Sequence, residues 1–206
     1  MSQTKIAVGM ISASSIGDAK VLQGDGSWVT PASAGWNFIA TSTASTSASL
    51  TVAGMNDTYD SYAIIGSQLL PATDNVDAWM RFGDGSIDSG GTDYSYTQRG
   101  QYLTNFYTTG SDGAAQMIMT SYSDGIGNAT GEGYGFIAYI FQPSSGTQRT
   151  WMSGHGASLS TNNINFFVHR FGGARRSTIS HTQVNYLFSS GNITSGRLTL
   201  WGIAHS

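Results

Sequence analysis

Hydrophobic and polar residues alternate over most of the chain, and this period of two is typical of β-strands with one buried face. In NVDAWMRFGDG, residues 75–85, every second residue from Val76 to Phe82 is hydrophobic and faces the same side. Turns rich in glycine, asparagine and aspartate separate such segments at the intervals expected of sandwiches and barrels. We therefore predict an all-β head domain.

Two packed antiparallel sheets, arranged as a jelly-roll-like β-sandwich, would bury many short strands in one core. The predicted strands are Asn37–Thr43, Ser47–Ala53, Tyr59–Leu70, Val76–Gly83, Tyr94–Phe106, Gln116–Tyr122, Tyr134–Gln142, Arg149–Leu159, Ile164–Phe171, Gln183–Ser189 and Gly196–Ala204. The connecting loops need positive backbone φ angles, which glycine, asparagine and aspartate tolerate. Predicted loops are Gly83–Asp93, Gly110–Ala115, Ser123–Gly133 and Ser189–Gly196.

The segment YGFIAYIFQP, residues 134–143, is hydrophobic on both faces. Such a strand is expected at the centre of a sheet, where a second sheet or another subunit covers each face. In GRLTLWGIA, residues 196–204, the period of two places Leu198 and Leu200 on one face of the strand and Trp201 on the other face. This pattern predicts a half-buried strand.

Residues 1–33 differ from the rest, because their hydrophobic residues are scattered among small polar ones without a helical stripe. An extended segment of this kind buries its side chains only against another surface, in its own domain or in a neighbouring chain. We predict an attachment arm at 1–33 and a sandwich head at 34–206; the alternative is a frayed terminus without a role. The candidate attachment residues are Ile6, Val8, Ile11, Ile16, Val21 and Leu22.

The arm ends in VLQGDGSWVTP, residues 21–31, and the residues of this segment allow the chain to change direction. Gly24 and Gly26 permit a sharp reversal of the chain, and Asp25 can bond its own backbone within that reversal. Trp28 can anchor the chain where it enters the head.

Composition supports a strand-built protein and excludes several functions. Among 206 residues there are one glutamate and two lysines, the residue types that populate exposed helix faces. A net charge of −3 gives no basic surface for nucleic acid. The absence of cysteine excludes disulfides and thiolate metal sites, and no run of hydrophobic residues is long enough to predict a membrane span.

The titratable residues show no arrangement that indicates catalysis. Asp84, Asp88 and Asp93 have the spacing of a loose calcium loop, but turn chemistry explains the same residues. The four histidines lack metal-ligand spacing, and the G-x-S-x-G nucleophile motif is missing. We therefore predict no enzyme, no metal and no cofactor. The enzymatic alternative is a glycosidase that works through two loop carboxylates.

Aromatic and basic residues supply the remaining candidate contacts. Exposed tryptophans can stack on sugar rings, or they can fill a core or an oligomer interface. The basic cluster HRFGGARRS can pair with carboxylates across a subunit boundary or solvate a loop. The candidate glycan or interface contacts are Trp79, Trp151, Arg175 and Arg176.

The order of these features resembles a group of tailed-bacteriophage structural proteins that includes tail-fibre, spike and head-decoration components. The resemblance rests on VLQGDGSWVTP, on YDSYAIIGSQLLPATDNVDAWMRFGDG, on GEGYGFIAYIFQP and on LFSSGNITSGRLTLWGIAHS. In that family a pattern SG…L.GI ends the last strand, and a GDGSW-like hinge passes the chain from attachment segment to head. The residues that match the strand pattern here are Ser195, Gly196, Leu200, Gly202 and Ile203.

The resemblance implies a jelly-roll head, assembly as a homotrimer and a place on the virion among capsid, neck or tail proteins. It carries no catalytic signature. The arm is short for a fibre shaft, which favours a decoration, spike or short tail-fibre component. We expect a non-enzymatic virion structural protein that oligomerises through its sandwich and attaches through its arm; the alternative is a module that binds host surface glycan for receptor recognition.

Overall fold

The structure is a computed structural model that describes residues 21–22, 28–29, 35–122, 124–160 and 165–204. The chain divides into two units, residues 1–34 and 35–206. In the first unit, β1 (Val21–Leu22) pairs antiparallel with β2 (Trp28–Val29).

The second unit consists of strands and loops, and no helix occurs among its described residues. Its strands are β3 (Trp36–Thr43), β4 (Leu50–Ala53), β5 (Ser61–Pro71), β6 (Ala78–Asp84), β7 (Ser86–Ile87), β8 (Tyr94–Tyr102), β9 (Asn105–Ala114), β10 (Met117–Ile118), β11 (Gly133–Phe141), β12 (Trp151–Leu159), β13 (Phe166–Arg175), β14 (Gln183–Phe188) and β15 (Ile193–Ile203).

These strands form two antiparallel sheets that pack face to face. The large sheet has eight strands in the order β3-β15-β5-β11-β12-β13-β8-β9, so β3 and β9 are its edges. The small sheet has the order β10-β6-β14-β4, with β7 beside β6. The predicted all-β antiparallel sandwich is therefore confirmed.

The core lies between the two sheets because the strands of both sheets turn hydrophobic side chains toward each other. Met80 and Phe82 of β6 are fully buried, and so are Leu198 and Leu200 of β15. The alternation read from the sequence gives the correct inward face for both strands. Removal of this apolar surface from water is the main favourable term in folding.

The clearest error in the predicted strands lies between residues 94 and 115. A single strand Tyr94–Phe106 was expected, but β8 and β9 form a hairpin that turns at Leu103 and Thr104. Leu103 adopts a φ of 51°, and leucine gives no sequence signal for such a conformation. The predicted loop Gly110–Ala115 is also wrong, because β9 continues through its glycines as an edge strand.

The inner face of the large sheet carries a small buried polar cluster. Ser158 and His169 share a hydrogen bond of 2.9 Å between Oγ and Nε2, and His169 is only 2% exposed. Burial lowers the pKa of His169 to about 4. Asp77 lines the same small cavity, and burial raises its pKa to about 6. The two groups therefore disfavour their charged forms for the same physical reason.

We expect the variant His169→Gln to change the pH dependence of stability in one direction. The folded pKa of His169 lies below its unfolded value of 6.5, so acid favours unfolding of the wild type between about pH 6.5 and 4. As pH falls through this window, the free energy of unfolding of H169Q should therefore increase relative to that of the wild type. Denaturant unfolding measured at several pH values checks this.

Asp77→Asn serves as the control of opposite sign. The folded pKa of Asp77 lies above its unfolded value, so the wild type loses stability as pH rises from about 3.8 to 6. As pH rises through that range, the free energy of unfolding of D77N should increase relative to that of the wild type. Parallel profiles for the wild type and both variants would contradict the buried titrations.

Candidate binding face

The outer face of the large sheet, opposite the core, is unusually hydrophobic. Among the described residues, most large exposed hydrophobic side chains belong to this sheet or to its β8–β9 turn, and no other described element covers them. Exposed apolar patches of this kind mark interaction sites. The exposed members are Trp36, Phe38, Leu103, Phe106, Trp151, Phe166 and Val168, between 37% and 71% exposed.

One row of directly opposed residues crosses this outer face from edge to edge. On β3, β15, β5 and β11 the row is mostly aromatic, and on β12, β13, β8 and β9 its side chains are small. Small side chains leave a depression across β12, β13 and β8, and the ring of Tyr139 closes one end of it. In strand order the row is Phe38, Trp201, Ala63, Tyr139, Ser153, Gly172, Thr97 and Gly110.

The aromatic end of the row shows that the sheet curls toward its outer side. Two strands separate β3 from β11, yet the ring centroids of Trp36 and Tyr139 are 6.2 Å apart, edge to face. Phe38 and Trp201 make a similar contact at 5.6 Å. Ala63 lies in the outward-facing row between Trp201 and Tyr139, and it is fully buried.

The neighbouring row forms a basic wall beside the depression. His155 of β12 lies directly opposite Arg170 of β13, and Arg170 lies directly opposite Arg99 of β8. All three side chains are exposed. Like charges at opposed positions destabilise a sheet, so this arrangement needs a reason beyond folding.

The depression has a volume of about 710 Å³, and we call it the trough. A second hollow, lined by Phe141 and Trp151, shares Ser153 with the trough. A third, which contains Phe106 and Phe166, shares both arginines with it. The trough is lined by Thr97, Gln98, Arg99, Tyr139, Ser153, Gly154, His155, Val168, Arg170, Phe171 and Gly172.

Local sequence explains why His155 points outward into this site. In SGHGAS, residues 153–158, the strand period places His155 outside and the glycines on either side of it inside. A Cβ on Gly156 would lie 2.6 Å from the hydroxyl of Tyr134, so glycine is required there by the core. The glycine-rich segment is therefore a packing feature of the inner face that carries a histidine on the outer one.

The four residues predicted as glycan or interface contacts do not come together. Trp151 is 52% exposed and lies beside the trough. Trp79 lies on β6 of the small sheet, where it pairs with Leu187 and Ile118. Arg175 and Arg176 follow each other in the chain but have different surroundings.

Arg175 is buried in an ion-pair cluster within its own chain. Its Nε donates to Asp88 Oδ2 at 2.9 Å, and its Nη1 lies 3.1 Å from Asp93 Oδ1. His181 adds a contact of 3.2 Å from Nε2 to Asp88 Oδ2. This arrangement is neither of the two alternatives that the sequence left open, because the partners of Arg175 lie in the same head. Arg176, by contrast, is exposed and lies 3.8 Å from Asp112.

In the same cluster, a hydroxyl, an imidazole and a carboxylate contact one another in that order. Thr150 Oγ1 and His181 Nδ1 are 2.7 Å apart, and His181 Nε2 faces Asp88. Thr150 and His181 are both fully buried, so a substrate cannot reach the hydroxyl. Burial lowers the pKa of His181, and Asp88 partly opposes this effect. The cluster ties the Gly83–Asp93 loop to the end of the sandwich.

The other predicted sites are partly outside the described residues. Ile6, Val8, Ile11 and Ile16 of the arm, and Gly24, Asp25 and Gly26 of the hinge, all lie outside them. Val21 and Leu22 pair with Val29 and Trp28 in β1 and β2, and their roles stay predictions. Within the described ranges, no group of three acidic or histidine side chains could hold a metal ion, and no helix there is long and apolar enough to cross a membrane.

Sequence reasoning missed the residues that form the trough. Arg99, His155 and Tyr139 lie on three different strands, and only the strand register brings them together. The available signal was that Arg99 and Arg170 each occupy the outward position of a predicted strand. Comparison of the chain with protein-family models, curated proteins and solved structures gives no match.

We expect Arg175→Met to destabilise the head by about 3 kcal/mol. This is the low end of the range for breaking a buried ion pair, because Asp88 and Asp93 keep some contact with water. The matched control Arg176→Met breaks an exposed pair and should cost less than about 1 kcal/mol. Equal losses in denaturant unfolding would show that Arg175 does not hold the loop.

Proposed function

We propose that this chain is a non-enzymatic bacteriophage virion structural protein, a decoration, spike or short tail-fibre component. Its head would oligomerise through the large sheet, and residues 1–33 would attach it to the particle. The observation that carries the proposal is the hydrophobic outer face of the large sheet, which the described part of the head leaves uncovered. Burial of such a face by another copy is the ordinary way to remove it from water.

The hydrophobic residues favour a head-to-tail contact between copies. An edge patch on β3 contains Trp36 and Phe38, and a corner patch at the β8–β9 end contains Leu103, Phe106 and Phe166. The two edges of an eight-stranded sheet are about 34 Å apart along the sheet at ~4.8 Å per strand. Two different patches that meet between neighbours form a heterologous interface, which closes into a ring when the rotation allows.

The family resemblance of the sequence supports three copies in that ring and a location on the virion. A homotrimer would place each edge patch against the corner patch of the next copy. The trough lies between the two patches, and none of its lining residues belongs to either patch, although Arg99 stacks on Phe106 of the corner patch. The arm would bind other virion proteins of the capsid, neck or tail through its hydrophobic side chains.

Receptor recognition through a host glycan is the second candidate function, and the trough favours it. An exposed tryptophan, Trp151, and an aromatic ring, Tyr139, border a depression large enough for sugar residues, whose lining also includes arginine, histidine and hydroxyl side chains. Aromatic rings next to hydrogen-bonding side chains are the usual lining of such sites. This function is compatible with the structural one, because it uses a different part of the sheet.

The head-to-tail arrangement predicts an unusual result for two variants. Phe38→Ser should remove the edge patch, and Phe166→Ser should remove the corner patch. Each variant alone should be monomeric, because every interface then lacks one of its two halves. An equimolar mixture should form a 1:1 dimer, because one intact interface remains and the ring cannot close. Light scattering after size exclusion measures these masses against the wild-type trimer.

Both side chains are more than half exposed, so neither change should unfold the head, and circular dichroism checks this. A monomeric wild type would contradict assembly through this face. If the mixture of variants stays monomeric while the wild type is a trimer, the two patches do not contact each other.

The arm makes a separate prediction. Deletion of residues 1–33 should leave a folded head that no longer joins the phage particle, because the attachment side chains are gone. Incorporation is measured by complementing a phage that lacks the protein and analysing purified particles. Normal incorporation of the truncated protein, with a far-ultraviolet spectrum typical of strands, would contradict attachment through the arm.

A further inference from the structure

The two arginines of the trough have no carboxylate partner among the described residues. Every arginine ion pair found there belongs to Arg175 or Arg176. Arg99 and Arg170 instead lie side by side on adjacent strands, with His155 next in the same row. A guanidinium group stays charged at any pH at which a protein is folded, so the two charges repel each other.

One of these guanidinium groups is held in place by a ring. The Arg99 Cζ atom lies 3.8 Å from the centroid of the Phe106 ring. A cation stacked on an aromatic face keeps its N–H groups free at the edge of the plane. Arg99 is therefore fixed without having its donors satisfied, which is the state of a residue prepared for a bidentate anion.

The surroundings of the arginines supply no anion of their own. One carboxylate, Asp112 on β9, occurs among the outward-facing described residues of the rows that border the trough. Asp112 already accepts a hydrogen bond of 2.6 Å from Ser95 and lies 3.8 Å from Arg176. The hydrogen bond from Ser95 lowers the pKa of Asp112, and the charge of Arg176 lowers it further. The trough therefore keeps a positive wall in a chain of net charge −3.

We propose that the trough binds a carboxylate-bearing sugar of an acidic oligosaccharide, with Arg99 and Arg170 on the carboxylate. His155 lies beside Arg170 and can donate a further hydrogen bond to the same sugar. Paired arginine donors match the planar geometry of a carboxylate. This inference rests on the glycan-binding candidate function and names its ligand class and its specificity-determining residues.

The remaining lining favours a sugar over an acidic peptide. The ring of Tyr139 closes one end of the trough, and Ser153 and Thr97 place hydroxyl groups along its floor. A sugar packs an apolar face on a ring and exchanges hydrogen bonds with hydroxyls. A peptide commonly adds to a sheet edge through backbone hydrogen bonds, but the strands β12, β13 and β8 are paired on both sides.

The experiment measures binding of the full chain to acidic oligosaccharides by calorimetry. The probes are tetramers of galacturonate, mannuronate and sialic acid, each compared with its neutral methyl ester. At least one acidic tetramer should bind, and its methyl ester should bind about tenfold more weakly or worse, because a charge-assisted hydrogen-bond pair is lost. Raising the salt concentration should weaken binding of the acid more than binding of the ester.

The decisive variants are Arg99→Gln and Arg170→Gln, singly and together. Each should lower affinity for the acidic tetramer by about tenfold, with little effect on the ester. Arg197→Gln is the matched control, because Arg197 is exposed on β15 and lines a different hollow. Binding by R197Q should equal that of the wild type. Thermal unfolding confirms that all variants remain folded.

Several results would overturn the proposal. If the acid and its ester bind with equal affinity and binding depends on Trp151, the glycan-binding function stands but the proposal of an acidic ligand is rejected. Binding of polyglutamate with the same dependence on Arg99 and Arg170 would make the trough a site for acidic peptides. Absence of binding to every acidic tetramer at millimolar concentration would reject the ligand class. Absence of binding to the methyl esters as well would reject the glycan-binding function and would leave the assembly proposal to the mass measurements.

Discussion

The structure depends on one imbalance between its two sheets, because eight strands face five. Both faces of the large sheet carry hydrophobic side chains, yet the small sheet can cover only the inner one. The hydrophobic effect is non-directional and acts on the outer face as strongly as on the core. Curling of the sheet, which buries Ala63 under Trp36, Trp201 and Tyr139, removes part of that surface from water without a partner.

The same curling explains why a depression forms where it does. Rings fill the curve on β3, β15 and β11, whereas β12, β13 and β8 contribute serine, glycine and threonine to the same row. A concave surface with small residues at its floor retains open space, and the row next to it supplies charge. Glycines on the inner face serve a different purpose, because Gly154 and Gly156 make room for the packed side chains of the core.

Much of this fold could be predicted from the sequence, since the period of two marks inward and outward positions without knowledge of strand partners. Met80, Phe82, Leu198 and Leu200 illustrate this. The β8–β9 turn could not be predicted, because Leu103 adopts a left-handed conformation that leucine seldom signals.

The candidate site was largely hidden for a related reason. Asp88 and Arg175 are 87 positions apart, and Arg99 and Arg170 meet only through the register of β8 with β13. Outward positions were predictable one by one, but their neighbours were not, because long-range strand pairing depends on the whole topology. Trp151 and Trp79 are predicted on the same grounds, yet Trp151 lies beside the trough and Trp79 lies on the small sheet.

The position of β3 at the end of the large sheet has a consequence for the isolated head. No strand among the described residues lies beyond β3, which also presents Trp36 and Phe38, and a strand in that position can add another chain to the sheet. Proteins usually guard such strands with lysine, proline or a bulge; β3 shifts register at Ile39 but contains neither lysine nor proline. A concentrated solution of heads kept from assembling should therefore lose protein to aggregates that begin at this strand, and a lysine at Thr41 or Thr43 should slow that loss.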